Sequence, residues 1–149
     1  MFVFALICSC DAPPLIGPGT HDFHAPVSNG YSIWRTSSHQ ISIAPDSYVS
    51  GSTAIIPTKV IECDFDERFV IAKRQGLRQS NPDDTHSTHK EPDPSVFDYW
   101  ILDTSQAVVY GPFNSNEFRE KRKELGVPNS LALKNVYDFK PKDGPSTSN

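Results

Sequence analysis

Phe97-Asp98-Tyr99-Trp100-Ile101-Leu102-Asp103, followed after Thr104-Ser105-Gln106 by Ala107-Val108-Val109-Tyr110, is the stretch on which the fold turns. Successive side chains of an extended chain point to opposite faces. Both alternating sets of 97–103 are largely apolar, so the run predicts a central strand. The short polar spacer is of hairpin length and brings 107–110 back as a neighbouring strand. Gly111-Pro112 then sets a turn. Asn114 has the spacing of a helix cap, with Glu117 completing a capping box and Phe113 and Phe118 forming a staple. Gly126 suits the C′ position and Pro128 stops any continuation, so the punctuation predicts a helix over 115–125. Its apolar stripe is narrow, chiefly Phe118 and Leu125.

Upstream, β-forming runs recur. Tyr31–Ser37 and His39–Ile43 read as two strands, Val60–Phe65 as a third and Phe69–Arg74 as a fourth, the last two joined across Asp66-Glu67. Hairpin-type connections favour a meander over βαβ units. The expected fold is α+β: a mostly antiparallel five- or six-stranded meander sheet with one C-terminal helix and a disordered tail. The expected organisation is a partial signal and Pro/Gly-rich tether over 1–29, one globular domain over 30–139, and a tail over 140–149. Residues 76–95 are polar, carry no periodic pattern, and are expected to form a mobile loop.

Composition sets outer limits. The chain has 149 residues, room for one ordinary domain. Thirteen prolines, nearly twice the usual ~5% share, argue against a helical bundle. Fourteen Lys/Arg against eighteen Asp/Glu leave a net charge of −4, so no basic excess exists to hold a nucleic-acid backbone. No apolar run reaches the ~18 residues of a membrane-spanning helix.

The first residues point to export. Met1-Phe2-Val3-Phe4-Ala5-Leu6-Ile7 is apolar, like the core of a secretory signal, although no Lys or Arg precedes it. A start upstream of Met1 would supply those charges. Ile7-Cys8-Ser9-Cys10 resembles a bacterial lipobox, with Cys10 as the lipidated residue; Leu6 and Ile7 are too large for Cys8 to take that role. Asp11-Ala12-Pro13-Pro14 and Gly17-Pro18-Gly19 would follow the lipid as a tether. The reading implies a membrane-anchored lipoprotein of the cell envelope with Cys63 as the one remaining thiol. Two or more acyl chains would give lasting membrane residence. The alternative is a cytoplasmic protein with three reduced thiols, such as an inhibitor or immunity-type partner.

Taken together, Gly30-Tyr31, Arg35-Thr36-Ser37, Phe69–Ala72, Tyr99–Asp103, Tyr110–Phe113 and Phe118, Arg122, Leu125–Pro128 carry a resemblance. Over roughly 30–137 the chain resembles an uncharacterised family of small bacterial proteins. This is a domain of unknown function with a Tyr-Trp-Ile-Ile-Asp strand and a Gly-Pro-Leu/Phe lead into a helix, often found in predicted lipoproteins. The resemblance implies an envelope-associated α+β domain and transfers no catalytic residue.

The chemistry-bearing residues form few sets. His86 and His89, with Asp83, Asp84, Glu91 and Asp93 nearby, could hold a divalent metal and serve a metal-dependent envelope enzyme. The same residues read more simply as a solvated loop. His21 and His24 fall in the tether and read as exposed. Cys63 lies between carboxylates, which raise rather than lower a thiol pKa, so it reads as a packed strand residue. No Gly-x-Ser-x-Gly, Walker or Rossmann pattern occurs. The 117–124 run is the wet face of the helix. Tyr99, Trp100 and Phe113 are the binding candidates, and the core alone could also require them. A Gly-Pro-Phe lead into a helix is a thin echo of modules that hold Pro-rich peptides. The sequence therefore predicts no catalytic residue and no cofactor. It predicts a non-enzymatic binding module for an unknown protein or small-molecule ligand, with no nucleic-acid partner.

Overall fold

The computed structural model describes residues 22–142 apart from 50–52, 54, 82, 84–85 and 87–88. Among the described residues, eight strands fall into two antiparallel sheets. β1 (Phe23–Ser28), β2 (Tyr31–Arg35) and β3 (Ile41–Pro45) form the smaller. β4 (Val60–Phe65), β5 (Phe69–Gln79), β6 (Lys90–Asp103), β7 (Val108–Phe113) and β8 (Lys134–Asn135) form the larger, in the order β7-β6-β5-β4-β8. The helix α1 (Ser115–Leu125) follows β7, and a 3₁₀ turn (Val136–Phe139) follows β8. The class is α+β with mostly antiparallel strands.

The apolar pattern of β6 explains the layers. Trp100 and Leu102 face the smaller sheet, where Ile33, Ile41 and Ile43 meet Val60, Cys63, Val70 and Ala72 in one core. Tyr99 and Ile101 face the other way and join Phe69, Ile71, Phe118, Val127 and Leu131 in a second. A strand apolar on both faces needs cover on both, and α1 covers only one. The smaller sheet supplies the other cover.

The expected antiparallel sheet is present with five strands, and a second sheet of three joins it. The structure corrects the sequence reading at two places. The tether gives way to a strand at Phe23: Phe23, Ala25 and Val27 are buried while His24 and Pro26 are exposed, a period-2 strand. It closes onto β2 through Asn29 and Gly30, whose φ values of 46° and 79° are those of a tight hairpin turn. The expected 76–95 loop contracts as well. β5 and β6 stay in register through Leu77↔Pro92, Arg78↔Glu91 and Gln79↔Lys90, beyond the irregularity at Gln75/Leu77. Cross-strand contacts hold this arm in place of a core-facing pattern: the Arg78–Glu91 pair at 2.8 Å is one, and Val96 against Gly76 is another.

The helix lies where its punctuation places it. Asn114 Oδ1 accepts from the backbone N–H groups of Asn116 and Glu117, and Glu117 Oε2 accepts from Asn114 N–H. Gly126 ends it at φ 71°. Residues 1–21, with Cys8, Cys10 and His21, lie outside the described residues, as do Asp84 and residues 143–149.

Candidate functional site

β1 and β2 pair Phe23 with Arg35 and His24 with Trp34. That register sets the His24 imidazole against the Trp34 indole, with ring centroids 4.2 Å apart and the planes tilted by 37°. Tyr48 lies against Trp34 at 5.6 Å. His24 Nε2 stands 3.5 Å from Asp46 Oδ1, the same oxygen that accepts from the buried Ser32 hydroxyl. On the neighbouring pair, Arg35 contacts Asp22 at 3.3 Å, and its guanidinium lies over the Tyr137 ring at 5.7 Å. Between these groups runs a groove of about 310 Å³ lined by Asp22, Phe23, His24, Trp34, Arg35 and Thr36.

One detail distinguishes this groove. The indole N–H of Trp34 is buried and meets no acceptor among the described residues. Buried donors are nearly always paired, because an unanswered one loses its water without compensation.

Two other depressions are present. A cleft of about 660 Å³ lies among Val27, Ser28, Asn29, Phe65, Asp66 and Glu67. Its edge is a polar clasp: Asn29 Nδ2 donates to Glu67 O at 2.7 Å and to Thr104 Oγ1 at 2.8 Å, and Thr104 Oγ1 donates to Arg68 O. The clasp ties three turns together. A smaller cleft of about 360 Å³ contains His39 and His89.

The binding residues expected from the sequence do not converge. Tyr99 and Phe113 pair across β6 and β7 on the helix side, with Tyr99 stacked on Phe118 at 5.0 Å. Trp100 is on the opposite face, its indole N–H donating to Asp98 Oδ1 at 2.6 Å beneath Arg74. All three are half-buried packing residues. Asp83, His86 and His89 are exposed, and among the described residues no group of three or more His, Cys, Asp or Glu is placed to hold a metal.

Several ionisable groups are committed to structure. Asp103, 1% exposed, is held by Arg68 Nε and Nη2 and by the Ser105 hydroxyl. The Arg68 hydrogen bonds lower its pKa to about 2. Burial raises the Asp64 carboxyl, but the Ala132 N–H and Lys134 outweigh it and hold the pKa below the ordinary value. The Cys63 thiol is buried, and that burial, reinforced by Asp64, pushes it up to about 12.

Sequence reasoning missed the groove because His24 was placed in the tether. The signal was present in the alternation of Phe23, Ala25 and Val27 and in the Asn29-Gly30 dipeptide. The prolines and glycines around them obscured it.

Fold and surface together define a three-layer β/β/α domain with an exposed aromatic groove. The chain belongs to the family described as protein of unknown function (DUF3997), which matches residues 28–137. No curated protein and no solved structure matches it. The family match takes in Trp34, Arg35 and Thr36, whereas Asp22, Phe23 and His24 precede it.

Proposed function

We propose that the protein is a non-enzymatic binding module of the bacterial cell envelope, anchored to the membrane by acyl chains on Cys10, that holds a protein or small-molecule ligand. The observation carrying the binding reading is the groove walled by His24 and Trp34, with Tyr48 against the indole. Small-molecule sites are concave and mostly apolar with a few placed polar groups, and this groove has that character. The non-enzymatic part draws support from where the reactive groups are spent. Asp103 and Asp98 are bound to arginines, Asp64 to Lys134, and the Cys63 thiol is held neutral at ordinary pH. The anchor rests on Ile7-Cys8-Ser9-Cys10 and the Pro/Gly-rich segment after it.

The test is retention of a partner by the full-length protein extracted from membranes in detergent. Wild type is expected to retain a stoichiometric protein or small molecule. Thr36→Glu, which places a charge at the exposed rim of the groove without touching the core, is expected to lose it with an unchanged melting temperature. Retention by Thr36→Glu would overturn the groove as the site. Turnover of a substrate abolished by one substitution would overturn the non-enzymatic reading.

A further inference from the structure

We propose that the cleft between the β2–β3 turn and the start of β6 binds a phosphate group. Its lining comes from three places in the chain: Ser37, His39 and Gln40 from the turn, Leu77 from β5, and His89 and Lys90 where β6 begins. Among the described residues that line it, every polar side chain can donate a hydrogen bond and none is a carboxylate. The chain as a whole has more acids than bases, so this selection runs against its composition. Strand register explains it. Paired residues share a face of a sheet, and successive residues alternate. Leu77↔Pro92 and Gln79↔Lys90 therefore lie on one face of the arm, and Arg78↔Glu91 on the other. Glu91, the carboxylate next to Lys90, is turned away and spent on Arg78 at 2.8 Å. Asp93 is spent on the N–H and hydroxyl of Ser95, and Asp83 is exposed in the turn at the arm's tip, outside the lining.

Both histidines are held through their backbones. His39 N–H donates to Ser37 Oγ at 3.2 Å, and Thr58 Oγ1 donates to His39 O at 2.5 Å. Ser80 N–H donates to His89 O at 3.1 Å. The side chains of His39, Gln40, His89 and Lys90 are exposed, so a solute can reach them. A volume of about 360 Å³ has room for a phosphate group and part of the molecule that bears it. Such a group brings negative charge and several acceptor oxygens and needs donors on more than one side. Lys90 supplies a fixed positive charge. The imidazoles donate and gain charge as the pH falls from 8 towards 5. A divalent cation fits less well, since only two imidazoles would face it and the Lys90 ammonium would repel it. The cleft shares no lining residue with the groove at His24 and Trp34, so it stands or falls separately from that site.

The experiment is NMR of the imidazole ring protons in the full 149-residue chain, at constant ionic strength. His39→Gln and His89→Gln assign the two signals, and His24 serves as the internal control. Sulfate is the first probe, because its charge stays fixed between pH 6 and pH 8. At pH 6 the His39 and His89 signals are expected to shift saturably with sulfate while His24 stays in place. Wild type at pH 8 and Lys90→Gln at pH 6 are each expected to bind about tenfold more weakly. Shifts that never saturate, that appear equally on His24, or that persist unchanged at pH 8 or in Lys90→Gln would overturn the proposal. Inorganic phosphate and phosphatidylglycerol vesicles then separate the sources. Saturation by inorganic phosphate with no response to vesicles assigns a soluble phosphate. Vesicles that broaden the His39 and His89 signals in wild type but not in Lys90→Gln assign a lipid headgroup. Failure of both probes would overturn the site and leave an adventitious ion only.

Discussion

Asp103 sits at the end of β6 with its carboxylate almost wholly enclosed, held by Arg68 from the neighbouring turn. Its folded pKa of about 2 lies below the ordinary 3.8, so the ionised form is favoured by folding. The stabilisation is complete above pH ~4 and is lost as the pH falls from there through about 2. Because Arg68 is half exposed, the contribution is about 1–2 kcal/mol. Asp103→Asn is expected to lose that amount in urea unfolding at pH 7 and to flatten the acid limb between pH 4 and 2. An unchanged acid limb would contradict the assignment. Cys63 makes a second case. With its pKa near 12, its thiol is expected to resist a disulfide reagent at pH 8 in the folded protein and to react once urea unfolds it. Peptide mapping of the labelled chain reads the site directly. The sequence pointed to a packed thiol through the flanking carboxylates. The Arg68–Asp103 pair could not be seen there, since 35 residues separate its members.

Among the elements, α1 was the most legible, because every signal that makes it is local. Asn114, Glu117 and Gly126 each act within four residues, and the capping box and left-handed cap form as spaced. Asn114→Ala is expected to cost about 1 kcal/mol, measured by thermal or urea unfolding. Strand boundaries were less legible where pairing replaces burial. The β5–β6 arm past Gln75 has few buried side chains, so no hydrophobic period marked it. Prolines now find a reason that composition alone could not give. β1, β3, β7 and β8 are the outer strands, and the first three carry one each, Pro26, Pro45 and Pro112. β7 pairs with β6 only as far as Tyr99, so Lys90–Asp98 forms a further open edge, and it carries Pro92 and Pro94. Proline lacks the donor that strand addition uses, and it blunts such edges. Replacing Pro92 and Pro94 by Thr is expected to cause concentration-dependent self-association in sedimentation velocity. A variant that remained monomeric at the highest concentrations would show that the prolines are not what guards this edge.

For the whole molecule, the class was legible in the sequence and the layering was half legible. The two-faced run at 97–103 marked a central strand and the helix was placed, but only the structure shows that α1 covers one of its faces. The second cover, a three-stranded sheet, was hidden because its first strand lies among prolines and glycines. The groove was hidden for the same reason, since Phe23 and His24 of its wall come from that strand. The described residues begin at Asp22, which lines the groove. The account therefore depends most on Cys10. Expressing the gene with its native upstream sequence in a bacterial host and measuring the intact mass of the membrane-extracted protein tests it directly. The predicted result is a mature chain beginning at Cys10 and carrying acyl chains. An unlipidated chain that retains Met1 or residues before it would contradict the anchor and return the protein to the cytoplasm.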